Sequence, residues 1–323
     1  VYDSTHERDL HLQQIAPLAL AFIWRRRSLV IPGSFDYVRP KTLSEAVSLL
    51  GKNPEAKILA GGHSLIPMMR FRMATPPMLI DINQLSELAY IKEDGDWLRI
   101  GAMTREADVD RSDVVRKRYP LLADTARVIA DPLVRNLATI GGNIAHADPA
   151  NDHPATMLAY GAQVVATGPK GERTLEISDF FRGAFETALA PGEILTEIRI
   201  PRAQPRSGGA YFKLERKVGD YATAAVAVQL ALDGTGKVAS GGIGLTNVGL
   251  TPIFAKAAAG SLEGKKPDES AIAEAARLAA EAAEPIEDSR GSEEYKRHLV
   301  RTLTNRALTQ ALKRAQADAG GDA

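Results

Sequence analysis

The sequence predicts an α+β fold, and three observations carry that reading. Hairpin signals with glycine at the tip alternate with amphipathic helical segments. A proline- and glycine-rich break at 201–209 is followed by a meander of three long strands. Two alanine-rich helices then finish the chain.

Taken in order, residues 42–50 place Leu43, Ala46, Val47 and Leu50 on one helical face, behind the helix-starting Pro40-Lys41-Thr42. Residues 57–60 read as a short buried strand that runs into Gly61-Gly62, and residues 78–82 as another. Residues 89–91 and 97–100 flank Glu93-Asp-Gly-Asp96, a hairpin with Gly95 at its tip. Helices are expected over 104–109 and 121–129, the second ending near Asp131-Pro132. Residues 162–167 and 172–177 flank Gly168-Pro-Lys-Gly171 as a second hairpin, and 194–200 form a strand closed by Pro201. After the break come strands at 210–216, 222–232 and 238–246, the last two joined by Asp233-Gly-Thr-Gly236. The first closing helix covers 270–283. The second starts at Ser292, a good N-cap followed by Glu293 and Glu294, and carries Leu299, Leu303, Leu308 and Leu312 as a core stripe.

These features divide the chain into an extension at 1–29, a first domain at 30–205, a second at 206–317 and a frayed tail at 318–323. In the extension, residues 15–24 are mostly apolar and precede Arg25, Arg26 and Arg27. A membrane-spanning helix needs about twenty residues, and a secretory signal carries its charges before the apolar run. The segment reads either as an interfacial or partner-binding helix or as sequence upstream of the native start, and the second reading is preferred.

Composition narrows the function. Forty basic residues balance forty acidic ones among 323, so no net pull toward nucleic acid or a membrane surface is expected. There is no cysteine, which excludes a disulfide, a cysteine-ligated iron–sulfur cluster and a cysteinyl-linked cofactor on this polypeptide. A cytosolic setting fits.

The chemistry-bearing residues cluster around two glycine pairs. Ala60-Gly-Gly-His-Ser64 and Thr139-Ile-Gly-Gly-Asn143 each leave an apolar run and enter small polar residues. Glycine permits positive φ and close approach of main-chain N–H groups, and successive N–H groups form an anion-binding nest. Two nests could converge on the two phosphates of a dinucleotide. Asp152 lies where a carboxylate would suit ribose hydroxyls, though a turn-forming role beside Asn151 and Pro154 is the plainer reading. His146, Asp148, Asp152 and His153 invite a metal reading, but the two histidines are not at helical i, i+4 spacing, and although Asp148 and Asp152 are, no metal site is expected. Pro149 and Pro154 argue against a regular helix through that segment. Gly242-Ile-Gly-Leu-Thr-Asn247 mimics part of a Rossmann fingerprint but lacks its last glycine. His63 could attach a flavin or act as a base, and simple lining is the preferred reading. Tyr221, in Lys217-Val-Gly-Asp-Tyr-Ala-Thr223, could stack on a planar ring or be an ordinary half-buried aromatic.

Together these motifs resemble the two pyrophosphate-binding motifs of the FAD subunits of molybdenum hydroxylases. The opening Ile31-Pro-Gly-Ser-Phe-Asp-Tyr37, the stretch Gly61-Gly-His-Ser-Leu-Ile-Pro-Met-Met69 and Lys217-Val-Gly-Asp-Tyr-Ala-Thr-Ala-Ala225 resemble the medium subunits of aerobic carbon monoxide dehydrogenases. The resemblance implies an FAD-binding fold of the vanillyl-alcohol-oxidase (PCMH) type with a C-terminal lobe of three strands and helices. It implies non-covalent FAD held by Ala60, Gly61, Gly62, His63, Ser64, Thr139, Ile140, Gly141, Gly142 and Asn143. Asp152, Leu195 and Lys213 occupy positions that look like further FAD contacts, and Tyr221 would cover the isoalloxazine and gate it. By the same resemblance the molybdenum cofactor and [2Fe-2S] clusters lie on a large and a small partner subunit, in a dimer of heterotrimers. The flavin would pass electrons to a quinone or other acceptor, with any association with the inner face of the membrane made through partners. A related hydroxylase of aldehydes, purines or N-heterocycles is the alternative, and a free-standing flavin oxidase a more distant one.

Overall fold

A computed structural model of the chain describes residues 31–318. The 1–29 extension and most of the 318–323 tail lie outside the described residues.

The first layer is a parallel sheet of three short strands: β1 (Asp36–Val38), β2 (Lys57–Leu59) and β3 (Met78–Asp81), in the order β1-β3-β2. Helix α1 (Leu43–Lys52) connects β1 to β2, and α2 (Leu65–Arg70) follows β2. Thr42 Oγ1 caps α1 by accepting from Glu45 N at 3.2 Å, while Glu45 Oε2 accepts from Lys41 N at 2.7 Å. α1 buries Ala46 and Val47 in a core with Ile80, Ile82 and Leu85.

The second layer is antiparallel. Strands β4 (Ile91–Asp94), β5 (Trp97–Gly101), β6 (Gln163–Gly168), β7 (Gly171–Glu176) and β10 (Ile194–Pro201) pair in the order β4-β5-β10-β6-β7, with β8 (Phe181–Gly183) and β9 (Glu186–Thr187) as a small separate hairpin. Between β5 and β6 run six helices: α3 (Glu106–Arg111), α4 (Asp113–Arg118), α5 (Pro120–Val128), α6 (Pro132–Arg135), α7 (Ile140–His146) and α8 (Asp152–Tyr160). α4 and α6 were not expected, although each begins at a capping side chain. Ser112 Oγ accepts from Val115 N at 3.4 Å and Asp131 Oδ1 from Val134 N at 2.9 Å.

The C-terminal lobe is an antiparallel sheet of β11 (Ser207–Glu215), β12 (Ala222–Leu232), β13 (Val238–Thr246) and β14 (Ile253–Phe254), followed by α9 (Lys256–Gly260), α10 (Glu269–Ala282) and α11 (Glu293–Asp318). It has four strands rather than three, because β14 adds a two-residue pairing to β13. Val226, Val228, Ile243 and Leu245 pack on Val300, Leu303, Ala307 and Leu308 of α11.

Four expectations are corrected. The break at 201–209 shrinks to 202–206, because Pro201 ends β10 and Ser207, Gly208 and Gly209 begin β11. Those glycines serve contact, not flexibility: a Cβ on Gly208 would lie 2.2 Å from Ala311 O, and one on Gly209 2.8 Å from Leu121 Cβ. Asp318 closes α11 instead of fraying, and its carboxylate accepts from Arg206 N at 2.8 Å. The second glycine pair, expected as an open N–H nest, forms the first turn of α7. Pro154 sits in the first turn of α8, where a missing N–H costs nothing, so the helix forms despite it. The Rossmann-like glycines lie inside β13. A Cβ on Gly242 or Gly244 would lie 2.0 Å from Ala159 O or Ala155 O, so they let α8 lie directly on the strand.

Candidate functional site

The two glycine pairs meet in space. A Cβ on Gly61 would lie 2.4 Å from Leu137 O and 2.6 Å from Ala138 Cα, and one on Gly142 3.8 Å from Ala60 Cβ. A polar web ties the same two segments. Asn83 Nδ2 donates to Ala60 O at 2.8 Å, and Arg105 Nη2 donates to Asn83 Oδ1 at 2.7 Å while its Nη1 reaches Leu137 O. Asp81 Oδ1 fixes Asn83 through its backbone N–H at 2.9 Å and its amide at 2.6 Å. Asn83 and Arg105 have no place in the sequence motifs. The one local sign was an aspartate two residues before an asparagine at a strand end.

The two pairs spend their N–H groups differently. In the first, Gly62 has φ +76°, and the backbone N–H groups of Gly61, Gly62, His63 and Ser64 find no acceptor among the described residues. His63 itself is exposed, and Ser64 precedes α2 without a side-chain capping bond. In the second, Ile140 N donates to Thr104 O at 3.1 Å, Gly141 N to Ala102 O at 3.0 Å, Gly142 N to Thr139 Oγ1 at 3.1 Å and Asn143 N to Thr139 O at 3.0 Å. The expected second nest is therefore already filled by the protein. What this segment leaves open is Asn143 Oδ1, buried without a partner among the described residues.

Asp152 opens α8 and is buried. Tyr211 Oη donates to its Oδ1 at 2.6 Å and Lys213 Nζ to its Oδ2 at 3.0 Å, with Lys213 Nζ also 3.2 Å from Val128 O. Burial pushes the Asp152 carboxyl above its usual range against the pull of Lys213, and burial with Asp152 beside it raises the Tyr211 phenol well above its own. The expected ribose carboxylate is thus first a counter-ion for Lys213 inside the chain. Leu195 is buried in β10 opposite Ala166, just before a bulge, and the next residue's carbonyl accepts from Ala102 N at 2.9 Å. Ala102 in turn receives the Gly141 N–H, so β10, β5 and α7 are joined in one line.

Tyr221 stands just before β12 and is 46% exposed. Asn247, at φ +58°, donates its backbone N–H to Pro149 O at 3.0 Å and its amide to Ala222 O at 2.5 Å, which joins the loop before α8 to the Tyr221 segment. Burial raises the phenol of Tyr221, with the charges of Asp148 and Asp152 adding to the shift.

The four residues of the metal reading do not converge. His146 lies against Phe185 with ring centroids 5.1 Å apart, burial lowering its pKa. Asp152 faces Lys213, and His153 is wholly buried with Nε2 2.7 Å from Glu106 Oε2. Among the described residues no group of three or more His, Cys, Asp or Glu side chains is placed to hold a metal. The donor set suits an anionic dinucleotide: four amides in one loop without acceptors among the described residues, an unpartnered amide oxygen in the adjoining segment, and a half-exposed aromatic ring beside the loop before α8.

Comparison with known proteins agrees with this arrangement. Residues 33–203 match the FAD binding domain in molybdopterin dehydrogenase, and residues 209–311 match the CO dehydrogenase flavoprotein C-terminal domain. The chain is 46% identical over 288 residues to the carbon monoxide dehydrogenase medium chain of Afipia carboxidovorans, covering 89% of this chain and 100% of that one. It is 37% identical over 283 residues to the glyceraldehyde dehydrogenase medium chain of Sulfolobus acidocaldarius, covering 86% and 99%. Among solved structures, the carbon monoxide dehydrogenase from Hydrogenophaga pseudoflava lacking the Mo-pyranopterin moiety superposes with a TM-score of 0.85 at 48% identity, over 88% of this chain and 99% of that one. The chain belongs to the FAD-binding subunits of the molybdenum hydroxylases, in the branch of the carbon monoxide dehydrogenase medium chains.

Proposed function

We propose that this chain is the non-covalent FAD subunit of a carbon monoxide dehydrogenase-type complex, passing electrons from [2Fe-2S] clusters on a small subunit to a quinone or similar acceptor. The molybdenum cofactor belongs to a large subunit, and the assembly is a dimer of heterotrimers. The observation that carries the reading is the loop at 61–64, whose N–H groups find no acceptor among the described residues while its backbone packs against the segment before Thr139. In this reading Gly61, Gly62, His63 and Ser64 hold the pyrophosphate by their N–H groups, Asn143 Oδ1 accepts a cofactor hydroxyl, and Ala60, Thr139, Ile140, Gly141 and Gly142 shape the cradle. Asp152, Lys213 and Leu195 line its far side, and Tyr221 covers the ring system. We divide the chain at 30–205 and 206–317 accordingly.

With FAD bound, the subunit can take electrons singly and deliver them in pairs. The chain's part is to orient the cofactor and exclude water. It has no cysteine to ligate a cluster of its own. Among the described residues no helix is long and apolar enough to cross a membrane, so in this reading any contact with a membrane's inner face is made by partners.

The deciding experiment is an absorption spectrum with iron, molybdenum and flavin analysis of the native complex, followed by acid or heat denaturation. Release of intact FAD from a complex holding both metals is the expected result. Flavin that stays attached to the polypeptide would instead mean a covalent link, for which His63 is the placed side chain. Bleaching of the isolated chain by substrate would mean a free-standing oxidase. A related hydroxylase of aldehydes is the second reading, favoured by the similarity to the glyceraldehyde dehydrogenase chain. Turnover of the native complex with carbon monoxide and with aldehydes separates the two.

A further inference from the structure

The segment that presents Tyr221 is gripped from two sides. Gly219 has φ +81°, and a Cβ there would lie 2.9 Å from Ala130 O, so the turn lies flat on the segment after α5. On the other side stands Arg290, in the loop between α10 and α11. Its Nη1 donates to Tyr221 O at 2.8 Å, and its Nη2 donates to Asp220 Oδ1 at 3.0 Å. Asp220 also accepts from Tyr221 N at 2.8 Å and from Arg216 Nε at 3.2 Å. One guanidinium thus holds the carbonyl of Tyr221 and the carboxylate that holds its N–H.

The Arg290 loop is itself anchored. Asp288 Oδ1 accepts from Arg290 N at 2.8 Å, and Lys296 Nζ reaches Asp288 Oδ2 at 2.8 Å and Ile286 O at 2.7 Å. Lys296 is buried in the first turns of α11. A line of charge therefore runs from Lys296 through Asp288, its loop, Arg290 and Asp220 to the backbone of Tyr221. The phenol of Tyr221 has no hydrogen bond among the described residues, so nothing at the ring's far end fixes its direction. Its direction comes from its own backbone, and that backbone is fixed by the clamp. A planar fork can satisfy a carbonyl and a carboxylate together in a way a lysine ammonium cannot.

We infer that Arg290 is a positioning residue, acting through Asp220, which sets the Tyr221 ring against the flavin and so tunes the flavin's access to its electron acceptor. The inference rests on the reading that Tyr221 covers the flavin.

The test uses the native complex carrying Arg290→Met, Arg290→Lys or Tyr221→Ala. Three quantities are read: amide hydrogen exchange over 217–222, visible circular dichroism of the bound flavin, and kcat and KM for the acceptor. Arg290→Met should raise exchange in that segment about tenfold, as loss of charge-assisted hydrogen bonds implies, with FAD content kept. It should also shift the flavin dichroism in the direction that Tyr221→Ala shifts it, and raise acceptor KM more than it changes kcat. Arg290→Lys should recover only part of each effect. If Arg290→Met prevents assembly, Asp220→Asn, which keeps shape and removes the charge, should give the same signature. A Tyr221→Ala effect on the dichroism with none from Arg290→Met or Asp220→Asn overturns the inference and leaves the flavin reading standing. No dichroism change in Tyr221→Ala overturns the flavin reading of Tyr221, and the inference with it.

Discussion

Gly61-Gly62 and Gly141-Gly142 are the same dipeptide after the same kind of apolar run, and the fold uses them in opposite ways. In the first pair, Gly61 makes room for the backbone of Leu137 and Ala138, while Gly62 at φ +76° turns the chain so that four N–H groups stay unspent. In the second pair the glycines are helical. Gly141 is pressed on Ala102, where a Cβ would lie 2.4 Å from the Ala102 Cβ and 2.6 Å from its carbonyl oxygen, and every N–H of the segment is already paired. The first pair is a donor surface, and the second is the wall that braces it. A glycine pair therefore signals close backbone approach, and only its hydrogen-bond partners tell whether the approach is to a ligand or to the protein.

Substitutions can break this comparison or sharpen it. The largest effect is expected from Gly61→Val, where the new side chain meets backbone and the two segments must part. Overpacking of this kind costs about 1–3 kcal/mol, and because the strain falls at the cradle it should appear as loss of bound FAD, read from the flavin-to-protein ratio of the complex. Gly141→Val meets backbone equally closely, but inside the brace. It should lower the thermal midpoint of the FAD-free complex by several degrees, from a penalty of about 2 kcal/mol, and reduce FAD content as a consequence. An unchanged midpoint with full FAD content in Gly141→Val would erase the distinction between donor loop and brace.

A smaller effect is expected from Asn143→Leu, which removes the unpartnered buried oxygen while roughly keeping shape. A buried acceptor without a partner costs about 1–3 kcal/mol, so the FAD-free variant should be no less stable than the parent while its FAD affinity falls. A drop in stability with affinity intact would make Asn143 a purely structural residue. The smallest effect is expected from pH. The Arg290 guanidinium holds the Asp220 carboxyl far below the usual carboxylate range. A carboxyl with a lowered folded-state pKa stabilises fully above its unfolded value and loses that contribution only as pH falls through the folded one. The Tyr221 clamp should therefore persist from neutrality to about pH 4, near the ordinary aspartate value, and the flavin dichroism should stay constant over that window. A titration of that signal between about pH 4 and 7 would assign the clamp to another group.

Much of this site was legible because its signals are local. Both glycine pairs, the Thr42 cap, the Gly95 hairpin and the strand run at 222–232 are patterns within a few residues, where periodicity and turn chemistry act. The parts that were not legible depend on distance. Arg105 reaches Leu137 and Asn83, and Arg290 reaches Asp220 and Tyr221, across separations that no spacing rule encodes. The donor status of each glycine pair was hidden for the same reason, since Ala102 and Thr104 come from another element. At Gly208 and Gly209 the composition pointed the wrong way. Glycine looks the same whether it loosens a linker or admits a helix, and there it admits α11 and α5.

Helix α8 lies between the lobes. Ala155 and Ala159 rest on Gly244 and Gly242 of β13, Met157 and Leu158 enter the core of the five-stranded layer, and Asp152 at its start is bound to Lys213 of β11. A helix packed into both lobes ties them to each other along its length. On this packing the two lobes are expected to keep one arrangement whether or not the flavin is bound. Small-angle scattering should then record the same envelope for flavin-free and flavin-loaded complexes.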